Sequence, residues 1–483
     1  MIARKSPVGP GLACAVSERV PASAWRDACE RQAQTGGRFC GLFASPNHGG
    51  LQVNCLFAHP DRDHVVHTQS YSGSIDTLVD LFAAAEWDER EAHDVYGLRF
   101  EGHEPLRPLV HRPGDADAWT VTVDGHDAYR VAVGPIHAGV IESGHFRFAV
   151  VGERILQLDL RLFYKHRGLQ RAAEGRTLAD GRRYAQRACA ACAVTNTVAY
   201  AQACESALGL VPDRQLRAAR TLLLELERLY NHLNDISAIC SGVGFAPGAT
   251  AYAAFKERAQ RLNQRLAGHR FLFETIAVAT STLHIDQTDA RAAREELRSL
   301  REQERRVWRE LRFAASLQDR LDGIGVLKAK DAARLGAVGP VARAAGLRHD
   351  TRRESPRLSY RGFEPAILEP ASGDVSARLN IRQAELEQTF EILDELLSAN
   401  VTPGTVKMLD ALATGVGLAR VESPRGETVC VVKTDGHTVE HLHLRTGSYA
   451  NWPVLAHVCR ENLLPDFPLI NKSFELCYAC TDR

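Results

Sequence analysis

Four cysteines stand out by their spacing. The segment YAQRACAACAVTNTVAYAQACE, residues 184–205, carries Cys189 and Cys192, and SFELCYACTDR, residues 473–483, carries Cys477 and Cys480. Each pair is a C-x-x-C. In a large chain of ordinary composition, paired cysteines more often bind metal or do redox work than build a disulfide framework. The first pair reads as helical, and residues three apart share a helix face, so both sulfurs can point at one ion. The second pair would then complete a four-thiolate site and tie down a segment that would otherwise fray. Thiolates accept zinc, iron or nickel, and spacing alone does not choose among them. Compact zinc modules keep their pairs roughly 15–20 residues apart; these two lie far apart, so zinc here would be a staple between distant segments. A thioredoxin-like dithiol would need a βαβ setting that neither pair has. Cys14, Cys29, Cys40, Cys55, Cys204, Cys240, Cys430 and Cys459 are scattered singly and read as small buried hydrophobes.

The rest of the chain must bring these pairs together. Its 483 residues predict two or three domains. With 59 basic and 59 acidic side chains the formal charge is zero, which removes the electrostatic case for nucleic acid or an anionic membrane. No apolar run approaches bilayer-spanning length and the N-terminus has no secretory pattern, so the chain reads as soluble and membrane-peripheral only through partners.

The fold class expected is α+β: a small N-terminal α/β domain over residues 1–115, then residues 116–483 with a β-hairpin section leading into a mostly helical region. Residues 80–100, DLFAAAEWDEREAHDVYGLRF, predict a helix running into a strand, and PLRPLVHRPGDADAW has the Pro/Gly/Asp punctuation of a linker. TVTVDGHDAYRVAV predicts strands around a D-G turn. In HFRFAVVGERILQLDLRLFY, Phe146, Phe148 and Val150 alternate before a turn and Leu158, Leu160 and Leu162 after it, as a half-buried hairpin requires. From about residue 177 the pattern is helical. Leu222, Leu226, Leu229, Leu233 and Ile236 share one helix face. The charged segment from Ala290 shows a narrow stripe of Leu297, Leu300, Val307 and Leu311 and reads as a solvated helix. A further amphipathic helix begins at Arg382. The Arg-rich stretch 343–361 reads as a loop facing a partner.

The words around the cysteines go further. R-x-C-x-x-C at the start of a helical region and L-C-x-x-C-T-D-R at the end resemble the large subunit of nickel–iron hydrogenases, in particular the membrane-associated, energy-converting (group 4) type that includes formate hydrogenlyase. GPIHAGVIESGHFRF, YKHRGLQ, LELERLYNHLND, SPRGE and RTGSYANWP are similar to that group's segments, in the same order. EWDEREAHDVYGLRFEGHEPLRPL resembles the small hydrophilic subunit of respiratory complex I that is fused to the large subunit in formate hydrogenlyase.

The resemblance implies a nickel–iron centre. Cys189 and Cys477 would be terminal nickel ligands, and Cys192 and Cys480 would bridge nickel to an iron carrying cyanide and carbon monoxide. Cys477 would be first proton acceptor, and Glu142 the proton-relay carboxyl, its burial raising its pKa. Arg425 would overhang the metal site as a fixed, charged donor, with Glu205 as its acidic partner. Taken alone, Glu142 reads as a surface hairpin residue, Arg425 as a turn arginine and Glu205 as a helix salt-bridge member; His145, His166 and His232 read as hydrogen-bonded core or interface histidines. The implied partners are a small subunit with an iron–sulfur cluster, membrane-embedded antiporter-like subunits, nickel maturation proteins, and formate dehydrogenase as a candidate electron donor. The implied location is cytoplasmic, on the inner face of the cell membrane.

Some positions depart from the family pattern. Ala190 replaces a glycine, where a methyl group could crowd the diatomic ligands. Gln170 replaces the glutamate of HRGLE and weakens the case for a second site holding magnesium or iron. Asn196 replaces a histidine near the iron, and Glu475-Leu476 replace Asp-Pro. The chain stops at Arg483, the position where the resemblance implies that precursors carrying a C-terminal extension are cut once nickel is loaded; it is either written in mature form or encoded without an extension. Two alternatives stay open: a complex I-like quinone-reducing or coupling subunit without nickel, which the N-terminal domain and the His137 loop fit equally well, and a scaffold stapled by zinc.

Overall fold

The computed structural model describes residues 15–47, 49–60, 62–110, 118–123, 125, 127–138, 141–354, 357–360, 362–399, 401–408 and 415–483. The expected domain boundary at 115/116 and Cys14 lie outside them.

The N-terminal part is a four-stranded sheet in the order β1 (Val16–Arg19), β4 (Asp63–Ser70), β3 (Gly50–Ala58), β2 (Arg38–Asn47), with β1 parallel to β4 and the others antiparallel. Helix α1 (Trp25–Gln34) packs on it, and Trp25, Phe57, Val66 and Leu98 lie in its core. The helix-then-strand expected at 80–100 is present as α2 (Glu86–Tyr96), closed by Gly97 at φ 74°, then β6 (Arg99–Glu101), which pairs with β5 (Ser74–Asp76). Gly97 suits the left-handed end of a helix because it carries no Cβ.

The predicted hairpin forms as β8 (His145–Val151) and β9 (Arg154–Arg161), with Phe146, Phe148, Leu158 and Leu162 buried. Before it, only β7 (Tyr129–Val133) is a strand; residues 120–123 are not, so the D-G segment does not make the hairpin its alternation predicts. Part of that turn, Asp124 and His126, lies outside the described residues.

The helical region follows. The short α3 (Leu169–Ala173) leads into α4 (Leu178–Gln186), α5 (Ala193–Ala207), α6 (Arg214–Gly242), α7 (Ala246–Ala267) and α8 (Gln287–Phe313). Asp213 starts α6 by accepting from Leu216 N at 2.7 Å, and Asp286 starts α8 by accepting from Asp289 N at 2.8 Å. Helix α6 departs from the amphipathic expectation. Its leucine face is buried, and so are Glu225, Glu227, Arg228, His232 and Asp235 on its other faces. Helix α8 keeps its narrow stripe of Leu297, Leu300 and Leu311, and its arginines reach across to acids of a helix later in the chain: Arg294 to Asp394 at 2.8 Å and Arg301 to Glu391 at 2.7 Å.

Short helices α9 (Ala315–Leu321), α10 (Ala329–Arg334), α11 (Gly339–Ala344) and α12 (Thr351–Glu354) precede α13 (Val375–Leu396). This last helix begins seven residues before the expected Arg382, because Asp374 caps it through Ala377 N at 2.7 Å. The Arg-rich stretch is not one exposed loop: Arg348 and Arg353 are exposed, but Arg343 and Arg352 are buried. Arg343 is fully enclosed, bonded to Glu385 at 2.7 Å and Glu422 at 2.9 Å, and Arg352 to Asp350 at 2.7 Å. Buried guanidinium groups need such partners; Asp350 is two residues from Arg352, but Glu385 and Glu422 come from distant segments that no local pattern reveals.

Two-residue to three-residue strands β10 (Leu210–Pro212), β11 (Ile276–Ala277), β12 (Thr280–Ser281) and β13 (Val406–Met408) join loops in two small ribbons. The last sheet is β14 (Val416–Ser423), β15 (Gly426–Thr434) and β16 (Val439–Arg445), antiparallel throughout, followed by α14 (Gly447–Cys459) and α15 (Phe467–Phe474). One face of this sheet rests on α5. A Cβ at Gly417 would come 1.8 Å from Ala203 O, so the close approach requires glycine. Its other side meets the N-terminal sheet: Phe43 and Leu56 pack with Leu418, Val429 and Val431. Arg445 to Asp88 at 3.0 Å and Arg420 to Asp63 at 2.8 Å cross the same seam.

Candidate metal centre

The two cysteine pairs converge. Cys189 Sγ and Cys477 Sγ are 3.1 Å apart, although 288 positions separate them in sequence. The sulfurs of Cys189, Cys477 and Cys480 all lie within 4.8 Å of one another. Cys192 packs in the same buried cluster, and hydrogen bonds with Cys189 and Cys480 pull its thiol down to about 6. Four sulfurs held about 2.3 Å from a metal would stand about 3.8 Å apart in a tetrahedral arrangement; the Cys189–Cys477 contact is tighter than that, and the chemistry of the donor set, thiols converging from two segments, suits a thiolate-ligated metal. Cys189, Cys192 and Cys480 are buried, whereas Cys477 is partly exposed.

The first pair is not on a helix. Cys192 is the residue capping α5, and Cys189 sits in the turn before it. A regular helix would have directed both side chains sideways; the turn instead aims them at the second pair. Two α6 residues hold that turn. Tyr230 Oη donates toward the carbonyls of Ala190 and Ala191 at 3.3 Å, and Asn231 Nδ2 donates to Ala191 O at 2.8 Å. Glu227, one turn earlier, accepts from Val194 N at 2.7 Å and Thr195 N at 3.1 Å, so it satisfies the open amides at the start of α5. Burial pushes Glu227 up to about 7.

The second pair rests on the start of α14. Cys477 N donates to Ser448 Oγ at 3.0 Å, and Thr446 Oγ1 donates to Cys480 O at 3.4 Å. Cys480 N also points at Cys477 Sγ, at 3.4 Å. One side chain spans both pairs: Arg167 donates to Arg187 O and Ala188 O at 2.8 Å, and to Ala479 O at 2.9 Å.

Arg425 stands against the thiols, held by three bonds. It donates to Asn231 Oδ1 at 2.5 Å, Asp235 Oδ1 at 2.9 Å and Glu475 O at 3.0 Å. Burial alone would lower its pKa, but Asp235 and the neighbouring Cys192 and Glu475 more than compensate, so the guanidinium stays charged. Glu475 presents its carbonyl from a left-handed conformation, φ 49°, which costs a non-glycine residue energy.

Several expectations need correction. Glu205 is not the partner of Arg425. It lies in the last part of α5, away from the thiol end, and forms a buried pair with Arg220 at 2.5 Å while also accepting from Ala279 N at 2.8 Å. Asp235 of α6 takes the expected role. Glu142 is exposed in this chain, so the burial expected of a relay carboxyl is not supplied by the chain itself; its charge is felt by Tyr478 and Asp482. Ala190 is exposed, so its methyl group is not packed against the thiols. Asn196 is fully buried, one turn beyond Cys192, and neither of its amide atoms has a partner among the described residues. His232 is hydrogen-bonded in the core, to Glu385 at 2.9 Å, and His137 bonds Gly144 O at 2.7 Å. His145 lies against Trp119.

Glu227, Tyr230, Asn231 and Asp235 carry no expected role in the sequence reading. One signal is present: Glu227, Asn231 and Asp235 recur every four residues on a helix otherwise rich in leucine, the spacing of a polar stripe facing one site.

Comparisons with known proteins find relatives over most of the chain. The family profile of the respiratory-chain NADH dehydrogenase 30 Kd subunit matches residues 19–125, and that of the 49 Kd subunit matches residues 243–414 and 410–483. Formate hydrogenlyase subunit 5 of Escherichia coli is 30% identical over 431 residues, covering 83% of this chain and 75% of the relative. Hydrogenase-4 component G of the same organism is also 30% identical, over 83% of this chain and 74% of its own length. Among solved structures, a chain of the membrane-bound sulfane sulfur reductase, an archaeal respiratory membrane complex, superposes with a TM-score of 0.67 at 27% identity, covering 74% of this chain and 99% of that one.

Proposed function

Because this chain belongs to the large-subunit family of energy-converting hydrogenases, of the formate hydrogenlyase type with a fused complex I-like N-terminal domain, we propose that it is the catalytic subunit of a nickel–iron hydrogenase. It is an oxidoreductase acting on hydrogen. The observation that carries the finer reading is the meeting of Cys189, Cys477 and Cys480, with Cys192 beside them, at separations that suit one metal group. Cys189, Cys192, Cys477 and Cys480 would hold a nickel–iron group whose iron would carry cyanide and carbon monoxide. Bound there, the group supplies the open coordination position and the redox change that heterolytic cleavage of dihydrogen requires.

The chain's own residues do the rest. Cys477 is the one partly exposed residue of the four cysteines, which favours its Sγ as the place where a proton enters or leaves. Glu142, near Tyr478 and Asp482, receives that proton in this reading, and a covering partner would supply its missing burial. Arg425 keeps a fixed positive charge at the buried side, with Asp235 and Asn231 fixing its orientation. Asn196 offers an unpartnered amide to a small ligand.

Electrons leave through a partner. Among the described residues the only group of three or more His, Cys, Asp or Glu side chains placed to hold a metal is the thiol cluster, so an iron–sulfur relay is assigned to a small subunit. No helix among the described residues is long and apolar enough to cross a membrane. The relatives' names include a membrane-bound hydrogenase and a respiratory membrane complex; we assign this chain a peripheral place in such a complex, on the inner face of the cell membrane, with antiporter-like membrane subunits, nickel maturation proteins and, as a candidate donor, formate dehydrogenase.

Anaerobic purification of the intact complex followed by metal analysis and infrared spectroscopy tests this. Nickel with iron beyond the partner's clusters, and bands from cyanide and carbon monoxide, are expected. Zinc alone, or no metal after expression with maturation proteins, would overturn the reading. The likeness to a sulfane sulfur reductase favours a second reading, reduction of a sulfur substrate on the same scaffold; sulfide production without hydrogen turnover would select it.

A further inference from the structure

A cavity of about 510 Å³ lies where the N-terminal part meets the 166–174 segment, β16 and Arg483. Gln170 faces this cavity, at the position where the family resemblance raises a second metal site. The residues do not fit one. Gln170 spends its amide oxygen on Leu444 N at 3.0 Å. Every carboxylate lining the cavity is engaged. Asp88 pairs with Arg445 at 3.0 Å, Asp94 accepts from Leu109 N and Val110 N at 2.7 and 2.8 Å, and Glu174 meets His441 at 3.2 Å. Glu91 is clasped by both its oxygens to Arg483 Nη2, at 2.8 Å each.

Arg483 is therefore the notable group. It is 1% exposed, three residues beyond Cys480, and its guanidinium stacks 4.5 Å from the centre of the Tyr449 ring. Its Nε and Nη1 are buried without partners. A fixed cation in this cavity repels a divalent ion, and it already neutralises the carboxylate that such an ion would need. The neighbouring Asp482 anchors the same segment, accepting from Phe163 N at 2.7 Å and Lys165 N at 3.0 Å.

We propose that the Arg483 guanidinium, clasped by Glu91 of α2, is a resident cation of this cavity: it stands in for a second metal ion and ties the Cys477–Cys480 segment to the N-terminal part of the chain. This goes beyond the hydrogenase reading and holds whichever metal the thiols carry. Two measurements on the intact complex test it. After chelation, the complex is equilibrated with Mn²⁺, desalted and examined by electron paramagnetic resonance, in the wild type and in Glu91→Gln and Gln170→Ala. The proposal expects no retained Mn²⁺ that depends on either side chain. A retained Mn²⁺ released by either substitution overturns it. In parallel, amide hydrogen exchange over residues 477–483 should speed up by about ten-fold in Glu91→Gln, with partial recovery in Glu91→Asp. Unchanged exchange in Glu91→Gln overturns the tie. Finding zinc at the thiols would sink the hydrogenase reading but leave both readouts as expected.

Discussion

Cys189 and Cys477 stand 3.1 Å apart, sulfur to sulfur, at opposite ends of the helical region. The chain brings them together with backbone carbonyls and a few buried polar side chains, rather than with a continuous element. Both cysteine segments are loops against α6 and α14, and loops positioned by rigid elements are common places for chemistry.

Arg167 is the cross-link between the two loops, through Arg187 O, Ala188 O and Ala479 O. Arg167→Lys keeps the charge but loses the fork that reaches several carbonyls at once. Metal occupancy at the thiols should fall by about ten-fold or more, measured as nickel and iron per chain in the purified complex. Full occupancy in Arg167→Lys would show the bridge to be dispensable.

Cys480→Ser removes a fully buried thiol from the centre of the cluster. Hydrogen turnover should be abolished and nickel lost or strongly reduced. Turnover near the wild-type rate would exclude Cys480 as a bridge.

Arg425→Gln leaves Asp235 buried, with Arg382 at 3.0 Å as its remaining guanidinium. Burial opposes ionisation of Asp235, but Arg425, His232 and Arg382 outweigh it and hold its carboxyl low. Removing one partner of a buried ion pair costs about 3–5 kcal/mol, and Arg382 should reduce that. Urea unfolding of the variant reads the loss, and Asp235→Asn together with Arg425→Gln should recover part of it.

Glu142→Gln should spare the metal content, because Glu142 is exposed and outside the thiol cluster. Exchange between deuterium gas and solvent protons should stop. Exchange at the wild-type rate would remove Glu142 from the proton route.

Glu304 gives a pH dependence that can be isolated. Burial pushes it up from 4.5 to about 7, against hydrogen bonds from Tyr252 and Gln383. The folded chain therefore holds a proton that the unfolded chain has released between those values. Stability contributed at this position is greatest below pH 4.5 and falls as pH rises to about 7. Glu304→Gln should flatten that slope and be more stable than wild type at pH 8 by roughly 1–3 kcal/mol. The difference between the two urea-midpoint curves over pH 4.5–8 checks it; parallel curves would refute the assignment.

The hairpin at 145–161 was legible because alternation directly encodes which face of a strand is buried, and the apolar stripe of α8 because its period matches the helix. The failures share a cause. The Arg-rich stretch looked partner-facing because Arg343 finds Glu385 and Glu422 only in the folded core, and Arg352 is buried there with its sequence neighbour Asp350. Glu205 looked like a partner for Arg425 by family position, but α5 carries it to Arg220 instead.

By itself, the sequence determined the ligand chemistry: four thiols in two C-x-x-C pairs, set among motifs that resemble one hydrogenase family. Residue type and local order are properties of the chain, so they survive without a fold. Tertiary structure decided which groups surround those thiols. It placed Asp235 and Asn231 on Arg425, Arg167 across both loops and Arg483 on Glu91. These pairings join residues far apart in sequence, and buried polar groups take whichever complementary partner the packing delivers, since leaving them unpaired costs more than any local preference.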